Sequence, residues 1–272
     1  MSSILTPLHQ LPRTDRMPVY FLGHGSPMNA LAHNSFTQSL ADIGNSFGTP
    51  PHAVLVVSAH WLSRGTRVAV AAAPETIHDF GGFPEELYRV QYPAPGAPVA
   101  ARATASLLTA FSAAEDDQWG LDHGAWSVLR HVFPDASVPV YQVSIDALRE
   151  ARYHYDLGRE LAALRMHGIL IIGSGNIVHN LYEVDFAENA SPAPWAIEFD
   201  EQIKNALLAR DDAAMISYEK FSAAARRSVP TNDHYLPLLY TLGSTDKDEK
   251  IQFTYEGIEH ASLSMRCVRF GA

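Results

Sequence analysis

Three short apolar runs in this chain end the same way. Val19–Leu22 runs into Gly23-His24-Gly25-Ser26-Pro27, and Val54–Val57 runs into Ser58-Ala59-His60-Trp61. Ile169–Ile172 runs into Gly173-Ser174-Gly175-Asn176, with His179 and Asn180 just beyond. Runs of four apolar, largely β-branched residues suit strands buried on both faces. Open α/β sheets bind ligands outside the carboxyl ends of such strands. A single histidine after a strand is more often a satisfied structural group than a ligand. Three such events predict one rim on which His24, His60 and His179 converge.

Composition narrows what that rim can serve. The 272 residues are 47% hydrophobic and 18% charged, which suits one globular domain with a large core, or two small ones. The formal net charge of -10 opposes binding to nucleic acid or to an anionic membrane. No apolar run approaches the length of a membrane span. Cys267 is the one cysteine, so no internal disulfide can form, and a reducing, cytoplasmic compartment fits. Residues 1–16 mix Pro, His, Arg and Asp. They are expected to form a loose N-terminal arm rather than a secretory signal, with the domain occupying 17–272. Nothing in the sequence specifies an oligomeric state. Thirteen histidines are many for this length.

Strand and helix signals alternate along the chain. Helices are expected over Leu31–Phe47, from Pro98 to about Ala113, from Asp122 as N-cap through Val132, and over Arg149–Met166 with Gly168 as C-cap. Further helices are expected over Trp195–Leu208, Met215–Ala225 and Tyr235–Leu242. Val68–Ala72 and Val138–Val143 read as strands, and Ile251–Tyr255 and Ser264–Phe270 as closing strands. Ile77-His78-Asp79-Phe80-Gly81-Gly82-Phe83-Pro84 is a loop by its glycines and proline, and a candidate pocket wall. The pattern predicts a single α/β domain with a mostly parallel central sheet flanked by helices.

His24, His60 and His179 together favour a metal site over three independent packing histidines. His234, after a Pro-Thr-Asn-Asp turn, and His123, between Asp122 and Gly124, are further candidates. His9, His33, His52, His131, His154 and His167 read as bland, and His78 and His260 as undecided. The chain lacks C-x-x-C and H-E-x-x-H patterns, so zinc fingers and zincins are excluded. Ligands from distant strand ends with no thiolate suit an open catalytic site. Gly173-Ser174-Gly175-Asn176-Ile177-Val178 nearly spells a dinucleotide fingerprint, but Val178 stands where a small residue is needed. No G-x-S-x-G elbow is present. Phe80, Phe83, Trp119 and Trp126 are either plain core or a sandwich for a flat ring.

The motifs Gly23-His24-Gly25-Ser26-Pro27, Ser58-Ala59-His60-Trp61, Ile77-to-Pro84, Asp122-His123-Gly124, Gly175-to-Asn180 and His234-Tyr235-Leu236-Pro237-Leu238 occur in that order. From about Met17 onward the chain resembles the class III, LigB-type extradiol ring-cleavage dioxygenases, most closely their DOPA 4,5-dioxygenase branch. The resemblance implies a non-haem Fe(II) enzyme that opens a catechol with O2, in a branch also known with Zn(II) in the site. It implies His24, His60 and His234 as metal ligands, with His179 as the acid–base histidine and a fourth ligand when substrate is absent. His123 then contacts substrate or oxygen, and Ser26, Phe80, Phe83 and Trp126 border the substrate. The wider family resembles a two-histidine, one-carboxylate triad. Here His234 fills the third place, with Asp233 beside it. A zinc hydrolase on the same histidines, and a non-catalytic metal- or aromatic-binding protein, are the rival readings.

Overall fold

The computed structural model describes residues 7–187 and 190–271. Its main sheet has six strands: β1 (Val19–Gly23), β2 (Ala53–Ser58), β3 (Val140–Gln142), β4 (Ile169–Gly175), β5 (Ile251–Tyr255) and β6 (Cys267–Phe270). Their order is β3-β2-β4-β1-β6-β5. The first four run parallel, while β6 pairs antiparallel with β1 and β5 antiparallel with β6. This is the expected α/β domain with a mostly parallel sheet, extended at one edge by an antiparallel pair.

The helices of eight or more residues are α1 (Ser35–Asn45), α2 (Pro98–Leu107), α3 (His123–Val132), α4 (Ala151–Leu161), α5 (Pro194–Ala209) and α6 (Leu236–Gly243). Side chains alternate across each strand, so each strand feeds two cores. Tyr20, Leu22, Val54, Val56, Leu170 and Ile172 pack with Phe36 and Leu40 of α1 and Trp126 and Leu129 of α3. Val19, Phe21, Leu55, Val57, Ile169 and Ile171 pack with Leu157 of α4, Phe199 of α5 and Leu239 of α6. Burial on both faces explains why these strands read as continuous apolar runs rather than alternating ones.

Register fixes the functional edge. Gly23 lies opposite Gly175 and Ser58 opposite Ser174, so β1, β2 and β4 end level with one another. The residues that follow, His24, His60 and the segment to His179, leave the sheet at one rim.

Some elements differ from expectation. The first helix begins at Ser35 because Asn34 forms a capping box with Thr37. Arg67–Ala69 pairs with Ala114–Asp116 outside the main sheet. Met215–Ala225 is broken into short helical turns with Ser222 as a new N-cap. No helix opens at Val178, which removes the dinucleotide reading. Of the N-terminal arm, residues 1–6 lie outside the described residues. In residues 7–16, Leu8 and Leu11 pack against the core, Thr14 N–H donates to Met166 O, and Arg16 pairs with Asp246 at 2.6 Å. Among the described residues, no helix is long and apolar enough to cross a membrane.

Candidate metal centre

Five histidines meet at the level rim. His24 follows β1 directly, and its N–H donates to Gly175 O on the neighbouring strand (3.1 Å). His60 follows β2, and its N–H donates to Ser58 Oγ (3.2 Å). His123 opens α3, which Asp122 caps by accepting from Ala125 N–H (3.2 Å). His234 sits in the turn before α6, and its carbonyl accepts from Asn176 N–H (2.9 Å) just past β4. His179 is anchored by its N–H donating to Ser228 O (2.9 Å). Two glycines make these approaches possible. A Cβ on Gly175 would collide with His234 O, and one on Gly124 with Ser58 Oγ and the His60 ring.

Ring partners fix the free nitrogen of His24 and His234. Ser174 Oγ spends its proton on Gly124 O (2.5 Å), so it accepts from His24 Nδ1–H (3.0 Å). Nδ1 of His234 donates to the Asp233 carboxylate. Nδ1 of His60 faces Asp79 Oδ2 at 3.4 Å. The Nε2 atoms of His24 and His60 then turn toward each other, 3.1 Å apart. Two nitrogens bound tetrahedrally at about 2.0–2.1 Å to one zinc stand about 3.3–3.4 Å apart, so this pair has nearly chelating spacing. Ligand atoms of His24, His60 and His234 all lie within 4.8 Å of one another. Three imidazoles, each with a hydroxyl or carboxylate beside its Nδ1, are a donor set that could hold a divalent ion.

Electrostatics favour the same occupant. Burial, reinforced by the neighbouring imidazoles, holds His24 and His234 well below the usual imidazole range. Burial also pushes His60 down to about 3, against the upward pull of Asp79. His179 is pushed down to about 4, chiefly by burial, although Asp233 pulls it up. All four are neutral at neutral pH, as metal ligands and proton acceptors must be.

The remaining site residues frame this cluster. The His179 ring stacks flat on His234, with centroids 3.4 Å apart and planes within 4°. His179 stands outside the mutually close set of His24, His60 and His234, and groups instead with Asp233 and His234. The His123 ring lies 3.8 Å from that of His60. Phe80 meets His123 edge-on at 5.6 Å and Phe83 at 5.3 Å. Trp126 is fully buried, its Nε1–H donates to Ile77 O, and its ring backs Phe80 at 6.2 Å. Ser26 caps the turn Pro27–Ala30, accepting from Met28 N–H (3.3 Å). His78 donates to or accepts from no other site histidine; its Nε2 faces Val90 O (3.0 Å), and it joins the aromatic wall. Sequence reasoning gave no role to Asp79, Ser174 or Ser58, and gave Asp122 only its N-cap. Their partners lie 44 to 150 residues away, and no local spacing signals them.

Two surface clefts of about 560 and 690 Å³ contain none of these five histidines. Chemistry, rather than volume, singles out the rim.

Known proteins resemble this chain over nearly its whole length. Residues 18–271 match the family described as "Catalytic LigB subunit of aromatic ring-opening dioxygenase". The chain is 45% identical to "4,5-DOPA dioxygenase extradiol" of Escherichia coli (strain K12), covering 98% of this chain and 100% of that protein. It is 35% identical to "4,5-DOPA dioxygenase extradiol" of Mirabilis jalapa, covering 87% of this chain and 90% of that one. Among solved structures, an uncharacterized protein from Escherichia coli K12 superposes with a TM-score of 0.83 at 42% identity, covering 94% of this chain and 100% of that chain. With the family match running from β1 to the end of β6, the chain belongs to the LigB family of aromatic ring-opening dioxygenases.

Proposed function

We propose that this enzyme opens the ring of DOPA or a closely related catechol beside its hydroxyls, using O2 and iron(II). LigB dioxygenases act on a small aromatic with O2 and use a single divalent metal. The carrying observation is the set of three histidines, His24, His60 and His234, bordered by His123, His179 and the Phe80–Phe83 wall. The names of the relatives support DOPA as the substrate and an extradiol cut as the outcome. Zn(II) suits the same donors and is an alternative occupant.

An iron(II) ion on these histidines supplies the acidity that favours the catecholate and the electrons through which O2 reacts. The protein's own groups do the rest. Phe80 and Phe83 give a flat ring an apolar wall on the side of His123. His179, neutral and uncommitted to any side-chain hydrogen bond among the described residues, takes a hydroxyl proton and later returns it. His123 contacts the substrate from the side of the Phe80 wall. Both oxygen atoms enter the product and one ring carbon–carbon bond breaks, giving a muconic semialdehyde; from DOPA this is 4,5-seco-DOPA.

The test is anaerobic loading with Fe(II), addition of DOPA, then admission of oxygen. A yellow product should appear with one O2 consumed per ring opened. Turnover of ester or amide substrates without oxygen would instead favour the zinc hydrolase. Metal analysis of His24→Ala and His60→Ala should show loss of the ion. Full occupancy in both would place the metal elsewhere.

A further inference from the structure

Asp79 lies in the loop that carries Phe80 and Phe83, yet its carboxylate turns inward and is only 18% exposed. It grips one residue twice. Oδ1 accepts from the backbone N–H of His123 (2.8 Å), and Oδ2 accepts from its ring Nδ1–H (2.9 Å). The same Oδ2 stands 3.4 Å from Nδ1 of His60. A carboxylate offers only lone pairs, so the ring proton of His123 must sit on Nδ1. Its Nε2 is then a bare acceptor, without a protein partner among the described residues. The His60 and His123 rings, 3.8 Å apart, hinder each other's rotation.

We propose that Asp79 is a positioning residue for ring cleavage, locking His123 in the Nδ1–H tautomer so that Nε2 accepts a hydrogen bond from the bound aromatic. This rests on the reaction proposed above. A purely structural role would be to cap α3, but Asp122 already caps that helix through Ala125 N–H. The two roles separate in Asp79→Asn. The amide oxygen can still accept from the His123 backbone, while the amide NH2 faces Nδ1 and donates to it. The ring proton then moves to Nε2. In the Ser-His-Asp triad the corresponding change leaves the geometry intact and costs roughly 10⁴ in kcat through the wrong tautomer.

The experiment follows histidine side-chain ¹⁵N–¹H correlations in the zinc-loaded protein, alongside metal content and iron-dependent kinetics. The wild type should show His123 protonated at Nδ1. Asp79→Asn should keep one metal per chain and show His123 protonated at Nε2. Its kcat should fall on the order of 10²–10⁴ with KM changed only a few-fold. Glu85→Gln, which removes an exposed carboxylate from the same region, should match the wild type. An Nε2–H tautomer in the wild type would overturn the proposal, even if Asp79→Asn fails to fold. So would a switched tautomer with unchanged kcat, or loss of metal and stability with the tautomer retained. If the wild type opens no catechol, the proposed reaction fails, and the tautomer readouts still decide whether Asp79 positions His123.

Discussion

His179 and His234 differ by one geometric fact. Their rings stack 3.4 Å apart, but only His234 groups with His24 and His60. His234 also has its Nδ1 committed to Asp233, while His179 has no side-chain hydrogen bond among the described residues. A ligand is best fixed by such a partner, whereas a proton carrier must be free to exchange. His179→Gln should therefore retain iron when Fe(II) is in excess, yet lose on the order of 10²–10⁴ in kcat. His234→Ala should lose the metal. Parallel metal analysis and steady-state kinetics check both. Metal loss in His179→Gln equal to that in His234→Ala would make His179 a ligand rather than the base, and near-normal turnover would move the base to His123.

At the scale of elements, the site depends on how closely the turn before α6 approaches the end of β4. Gly175 has no room for a side chain because His234 O occupies that space. Gly175→Ala must push the His234 turn away or distort β4, a strain of about 1–3 kcal/mol by analogy with overpacked cores. Both a lower Tm and weaker metal binding are expected, measured by calorimetry and by competition with a chelator. A variant with normal metal affinity would show that the turn gives way without moving the ring. The buried strands were legible because their apolar runs are bounded by small residues, and Asp122 was legible as an N-cap because capping is local. The antiparallel placement of β6, between β1 and β5, was not, since pairing across the whole chain leaves no local mark. Asp79 was likewise hidden. Its loop announces turn chemistry through Gly81 and Gly82, and its partnership with His123 exists only in the folded chain.

For the whole molecule, the helix packed behind the site ties its stability to pH. Gly158 of α4 lies against the backbone of Tyr240 in α6, and Gly243 of α6 against Tyr155 O. Between these close approaches His154 is fully buried, its Nδ1 2.9 Å from Tyr240 Oη, while Tyr240 Oη–H donates to Ser144 O (3.2 Å). The one N–H of a neutral His154 serves either the Tyr240 oxygen through Nδ1 or Arg149 O, 3.4 Å from Nε2. Burial pushes this imidazole down to about 4 from its ordinary 6.5. Between those two values the unfolded chain binds one more proton than the folded one, so stability falls as the pH drops through that window and is unaffected above it. The full effect is about 3 kcal/mol, and about 2 kcal/mol of it is lost by pH 5. The site histidines add losses of the same sign in metal-free protein, so a variant is needed to isolate this one. His154→Gln, compared with wild type by urea unfolding of metal-free protein at pH 7.5 and pH 5, should lose about 2 kcal/mol less over the interval. Parallel losses in the two proteins would mean that His154 is charged within the fold, or that the acid sensitivity belongs to the metal-site histidines alone.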